Sequence, residues 1–141
     1  MASAFYNNFF EQVGKAQIDF SANTFKAMLM TTSYTFDDTD AFRADLSGEA
    51  SGTGYTAGGQ ALNNVTITQD DTNNRANIDF DNETFSTVTV SNVNAYVLYK
   101  DTGNSATDLL IAYIQFTEGA QSTVAGNFTV IPPAGGAIAI G

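Results

Sequence analysis

Apolar positions along this chain recur first at helical spacing and then at strand spacing, and the change comes early. In residues 3–13, Phe5, Phe9 and Val13 stand four apart, Tyr6 and Phe10 widen the apolar stripe, Ser3 is placed to cap and Gly14 to stop. This pattern predicts a short amphipathic helix over residues 5–13, lying on the body of the protein. From residue 16 the period shortens to two. Residues 16–20 alternate, 21–23 read as a turn, and 24–31 as a strand partly covered on both faces. Residues 37–46 mix acidic and apolar positions, with Phe42 and Leu46 four apart, which suits a helical turn near 40–46. Beyond residue 60, strands are predicted near 62–69, 75–80, 86–91, 94–100, 109–117 and 128–131. Residues 70–74 and 101–105 have the composition of hairpin turns.

Short strands at this spacing predict a mainly β chain: a single domain over 1–141, folded as an antiparallel β-sandwich, jelly-roll-like, with a helical segment at 1–14. The most apolar segments, 93–99 and 109–116, belong at its centre as neighbours. Val97, Tyr99, Ile111, Tyr113, Phe116 and Phe128 are therefore expected to be buried. Because side chains alternate across a strand, all of these segments can be hidden only if a second sheet or a partner covers the outer face. Pro132 and Pro133 break the chain before an uncharged tail at 132–141, where Ile138 and Ile140 alternate as in a last edge strand, in this chain or on a neighbour.

Residues 45–59 separate the mixed front part from the β-rich remainder. Gly48, Gly52, Gly54, Gly58 and Gly59 permit positive φ, and the Ser and Thr hydroxyls can satisfy turn backbone. Tyr55 has something to pack against only if this loop folds back onto the body, so it is expected to anchor a fixed Ω-like loop.

Composition narrows the partners. Five basic against fifteen acidic residues give a net charge of −10, and the cations form no run. Affinity for phosphate backbones and anionic lipid comes from clustered Lys and Arg, so neither nucleic acid nor a membrane surface is expected as a partner. Only 14% of residues are charged, well below the usual quarter, which leaves Thr, Ser, Asn and Gln to solvate the surface. No apolar run approaches the length of a membrane span and the N-terminus lacks the basic region of a secretion signal, so a soluble product of a cytoplasm is expected.

With neither His nor Cys, the chain lacks the commonest general base, zinc ligand and activated nucleophile. Carboxylates remain. Asp37, Asp38 and Asp40 do not fit a calcium loop: counting from Asp37, position six is Phe42 and position twelve Gly48, where an EF-hand needs Gly and Glu. Capping of a helical turn explains them more simply. Asp70, Asp71, Asp79, Asp81 and Glu83 read as turn and strand-end solvation, with a structural cation the lesser alternative. The glycine loop has no Gly-Lys-Ser/Thr ending and is no phosphate loop. Matches to the glycosylation sequon at Asn64, Asn82 and Asn127 are expected by chance in an Asn- and Thr-rich chain. No catalytic residue, cofactor or metal site is expected, and the chain is not expected to be an enzyme.

Five stretches together carry a resemblance: Thr24-Phe-Lys-Ala-Met-Leu-Met, Ser33-Tyr-Thr-Phe-Asp-Asp, Gly48-Glu-Ala-Ser-Gly-Thr-Gly-Tyr-Thr-Ala-Gly-Gly, Ala95-Tyr-Val-Leu-Tyr-Lys-Asp-Thr-Gly and Leu109-Leu-Ile-Ala-Tyr-Ile-Gln-Phe. The chain resembles small virion proteins of tailed bacteriophages, in particular head decoration (cement) proteins, from about residue 10 to about residue 131. Its tail differs from their simpler aromatic and Gly-Ile close by carrying Pro132-Pro-Ala-Gly-Gly. The resemblance implies a non-enzymatic structural protein, made in the host cytoplasm, that binds the major capsid protein on the outer face of the head. It implies self-association as a homotrimer or as clustered copies. Phe5, Tyr6, Phe9, Phe10, Ile131, Ile138 and Ile140 are the candidate interface residues, unless they cover the chain's own core. The alternative from the residues is a carbohydrate-binding sandwich of a tail or receptor-binding apparatus, which a solvent-facing tyrosine cluster beside Asp and Asn would favour. A tail or adaptor subunit is a further structural possibility.

Overall fold

The structure, a computed structural model, describes residues 3–141. Strand accounts for 45% of the described residues against 8% helix, which makes the class mainly β. The elements are β1 (Ser3–Phe5), α1 (Asn7–Gly14), β2 (Phe25–Thr31), a 3-10 turn (Arg43–Asp45), β3 (Gln60–Ala61), β4 (Thr66–Asp70), β5 (Arg75–Asp79), β6 (Glu83–Lys100), β7 (Leu109–Gln115), β8 (Gln121–Val130) and β9 (Ile138–Ile140). They form two antiparallel sheets of unequal size. The larger runs β1-β7-β6-β2-β3 with β8 also on β6, and the smaller runs β4-β5-β9.

β6 is the spine, at 18 residues. Its C-terminal half lies between β2, from Phe25 opposite Lys100 to Thr31 opposite Val93, and β7, from Lys100 opposite Leu109 to Ala95 opposite Gln115. Its N-terminal half pairs with β8, from Glu83 opposite Val130 to Val93 opposite Gln121. Because Val93 faces Thr31 on one side and Gln121 on the other, β7 and β8 lie end to end along the same edge of β6.

Alternation on these strands feeds two separate cores. Phe25, Ala27, Leu29, Tyr96, Leu98 and Ile111 project toward the small sheet and pack with Ile78 and Phe80. Met28, Met30, Val97, Tyr99 and Tyr113 project to the opposite face. No second sheet covers that face. Tyr6, Tyr34, Phe36 and Leu46 do, so the chain supplies its own cover from the β1–α1 junction and from the segments on either side of the 3-10 turn. Of the six residues expected to be buried, Val97, Tyr99, Ile111, Tyr113 and Phe128 are, while Phe116 is half-buried.

Four local expectations need correction. The helix begins at Asn7 with Tyr6 at its N-cap, and Ser3 is no cap: it opens β1, where Ser3–Phe5 gains backbone bonds to β7 that a helix would forgo. Residues 16–20 form no strand. Ala16 turns with φ +58, and Asn23 Oδ1 accepts from the Asp19 amide while Asp19 Oδ1 accepts from that of Ser21, so side chains take the donors a ladder would need. Ile18 and Phe20 are buried all the same. The predicted strands at 86–91 and 94–100 are one, because positive φ at Thr87 and Asn92 is absorbed as register shifts in a continuous ladder. β8 starts at Gln121 rather than 128.

The helical face also divides differently from its period. Phe9 is fully buried, stacked on Phe5 at 4.9 Å and edge-on to Phe20 at 6.2 Å, whereas Val13 on the same predicted stripe is 40% exposed. Phe9→Ala is expected to cost about 3–5 kcal/mol and Val13→Ala under about 0.5 kcal/mol. Chemical denaturation of the two variants measures the contrast, and losses of equal size would show that α1 does not seat on Phe9.

Candidate functional site

Three of the five stretches singled out in the sequence, residues 24–30, 48–59 and 95–103, meet beneath the glycine loop. Tyr55 stacks on Phe85 at 5.8 Å, its hydroxyl donates to Glu49 Oε1 at 2.9 Å, and the Leu29 amide of β2 donates to that hydroxyl at 3.0 Å. The same Glu49 oxygen accepts from the Gly58 amide at 2.6 Å, and the Tyr99 hydroxyl donates to the Gly58 carbonyl. Arg43, presented by the 3-10 turn, lies over the Tyr99 ring at 5.6 Å and donates through Nε to Asp108 Oδ2 at 2.8 Å. The other Asp108 oxygen accepts from the Thr102 amide at 2.7 Å and the Thr102 hydroxyl at 2.9 Å. Loop, turn and the β6–β7 hairpin are thereby tied into a single node, and Tyr55 anchors the loop as its sequence predicts.

Electrostatically the node is inert. Burial pushes the Tyr55 and Tyr99 phenols up, and the Glu49 carboxylate pushes Tyr55 further, so both stay protonated donors. Burial would raise Asp108, but its hydrogen bonds from Arg43 and Thr102 outweigh it and hold the carboxyl below its ordinary value. Asp108 is fully enclosed, so no substrate reaches it. Two further buried polar chains have the same character. Tyr6 hydrogen-bonds Tyr34 at 3.0 Å, and Tyr34, pushed up to about 12 chiefly by burial, donates to Asp40 at 3.1 Å. Glu83, 4% exposed, accepts from Gln60 at 2.7 Å and from the Asn63 side chain at 2.5 Å.

The acidic residues singled out in the sequence divide accordingly. Asp37 accepts from the Thr39 amide and hydroxyl in a local turn, and Asp70 is pushed down to about 2 by hydrogen bonds from Asn73 first, then Asn77 and Arg75. The 3-10 turn is capped instead by Asp45, which was not singled out and which accepts from the Ala41 and Phe42 amides. Among the described residues no three carboxylates converge where they could hold a metal ion.

The candidate interface residues also divide. Tyr6 and Phe9 are wholly buried in the chain's own cores, Phe5 is half-buried against Phe9, and Ile138 and Ile140 are half-buried in β9, paired to β5 of this chain. Phe10 and Ile131 alone among the seven are exposed, at 51% and 65%. Ile131 stands at the lip of a cleft of about 420 Å3 that Phe116, Glu118 and Pro132 also line. Tyr96, 2% exposed, also lines this cleft, and its buried hydroxyl has no hydrogen-bond partner.

Arg43, Asp108 and Glu49 are the polar residues that sequence reasoning passed over, and Glu83, expected as strand-end solvation, is instead buried and paired with Gln60 and Asn63. The available signal was context: in a chain this poor in charge, Asp108 enters an apolar strand directly and Glu83 opens the longest one.

Fold and node together define a small antiparallel β-sandwich whose buried polar groups brace loops against sheets. No family model, curated protein or solved structure matches the chain.

Proposed function

We propose that the chain is a non-enzymatic structural protein of a tailed-phage virion, a decoration protein that binds the major capsid protein on the outer face of the head in several clustered copies. What supports the reading is that residues of the glycine-loop and Tyr-Lys-Asp-Thr-Gly motifs are spent on internal bracing: Tyr55, Gly58 and Tyr99 join loop to sheet. A protein whose task is to persist on a particle gains from such bracing, and clustered weak contacts supply attachment through high effective concentration.

The sugar-binding alternative needs solvent-facing tyrosines. All six tyrosines are instead buried or, for Tyr55, half-buried, so no observation favours it.

Capsid contact falls to the exposed members of the candidate set, Phe10 and Ile131. Deleting residues 1–13 would remove Tyr6 and Phe9 from the cores and confound binding with folding, so point variants are the appropriate test. Purified protein, Phe10→Ser and Ile131→Ser are added to heads lacking the protein, and occupancy is counted by electron microscopy. The parent is expected to decorate heads fully and the variants, with unchanged melting, to lose occupancy. Localisation of the parent to the tail overturns the reading, and full occupancy by both variants overturns the assignment of the contact.

A further inference from the structure

β8 is a long strand with a bare outer edge. The far edge of β7 carries β1, and the β2 side of β6 carries β2 and then the glycine loop, where the Thr89 amide donates to the Thr53 carbonyl at 2.8 Å. Among the described residues, Gln121–Val130 pairs with β6 alone. The other strands at sheet edges, β1, β3, β4 and β9, have three, two, five and three residues; β8 has ten.

Edges of this length are normally blunted by Lys, by Pro, by inward charges or by bulges. Gln-Ser-Thr-Val-Ala-Gly-Asn-Phe-Thr-Val has no Lys, Pro or charge. Its own blunting is the bulge at Ala125, φ +47, and that bulge leaves Val124 beside it 86% exposed. Charge does not oppose contact through this strand. The chain carries a net −10, yet residues 119–141 contain no ionisable side chain. Two copies that meet along β8 therefore bring together Ser, Thr, Asn and Val rather than carboxylates.

We propose that two copies of this chain associate edge to edge through β8, antiparallel, about a two-fold axis near Ala125. An antiparallel strand edge is its own complement under a two-fold rotation, so the contact is isologous and needs no second surface. An axis at position 125 puts the two Val124 side chains beside it, within cross-strand reach. It also sets Glu118 of each copy opposite position 132 of the other, away from its like-charged counterpart. A single strand edge buries less than the roughly 1,200–2,000 Å2 of a standard interface, so the pair forms at high concentration and strengthens as salt screens the repulsion between two acidic bodies. The contact is a property of the isolated protein and does not depend on the decoration reading.

Sedimentation velocity of the full chain is measured over a concentration series at low and high salt. The mass is expected to rise from 15.0 kDa toward twice that value, at lower concentration in high salt, while amide exchange in residues 121–130 slows as the pair forms. Val124→Lys and, separately, Ala125→Lys place like charges across the axis and are expected to keep the protein at 15.0 kDa with an unchanged melting midpoint. Ala125 is itself exposed and lies opposite its own copy, so the second variant tests the axis independently of the Val124 side chain. A parent that stays monomeric at about 1 mM in high salt, a particle of three copies, or lysine variants that pair as tightly as the parent would overturn the proposal.

Discussion

Gly59→Ala is expected to destabilise the protein by about 3–4 kcal/mol, while Gly103→Ala, at nearly the same backbone angle, is expected to lose only about 1–2 kcal/mol. Both glycines have positive φ, +78 and +85, so both variants bear the left-handed penalty of an L-residue. What separates them is space. A Cβ at Gly59 would stand 1.9 Å from the Ala27 carbonyl oxygen and 2.8 Å from the Met28 Cα, whereas nothing lies within 4 Å at Gly103. The obstruction at Gly59 is backbone of β2, paired on its other side to β6, so it cannot rotate aside as a side chain would. Relief requires the loop to lift, which pulls on Gly58 and its bonds to Glu49 and Tyr99. Urea denaturation of the two variants measures the difference directly, and equal losses would mean that the loop accommodates the methyl group and is no fixed strut.

The same geometry explains which parts of the fold were legible in the sequence. The glycines of residues 48–59 signalled an ordered loop, and Tyr55 an anchor, because small residues and one aromatic have few other uses together. What they could not signal was the surface they approach. A Cβ at Gly52 would meet the Thr89 carbonyl oxygen at 1.8 Å, and one at Gly54 that of Thr87 at 2.3 Å, so the loop closes the stretch of β6 edge that β2 leaves open. That contact joins residues far apart in sequence and leaves no periodic trace. The central strands were legible because Leu98 and Ile111 sit in runs apolar on both faces, whereas β8 was found only from Phe128 onward. Gln121–Asn127 is polar or small and bulged, and it owes its strand state to pairing with β6 rather than to its own alternation. The N-terminus misled for the opposite reason: Phe5 and Phe9 do stack, as a helical pair would, yet Phe5 reaches that position from a strand.

Of the candidate site, the residues proposed for contact were chosen for being aromatic or aliphatic near the ends of the chain, a criterion that also describes core. Tyr6 and Phe9 proved to be core because β1 carries the N-terminus into the large sheet. The charged residues that brace the loops went unnoticed because a buried ion pair is built from residues 65 positions apart, Arg43 and Asp108, each ordinary in its own neighbourhood.

That pair supports the second large effect. Asp108→Ala is expected to cost about 3 kcal/mol or more, because it leaves the partly buried Arg43 guanidinium and the Thr102 amide without their acceptor. Removing both charges as Arg43→Met with Asp108→Leu is expected to cost less than Asp108→Ala alone, since an unpaired charge, not a missing attraction, dominates the loss. Acid provides an independent measure. The Asp108 carboxyl lies below its ordinary value of 3.8 in the folded protein, so its contribution is fully present above that value and is lost as pH falls through the folded pKa. Asp40 opposes it: burial raises its carboxyl above 3.8, so the folded state gains relative stability from that group as pH falls. Asp70, held low, acts in the same direction as Asp108. Both other groups are unchanged in Asp108→Asn, so the difference between parent and variant isolates the buried pair. The parent's advantage over Asp108→Asn is expected to be constant near neutrality and to shrink below about pH 4. Stability measured by urea at several pH values checks this, and an advantage that stays constant down to the onset of acid unfolding would show that the Asp108 charge contributes nothing to holding the hairpin against the 3-10 turn.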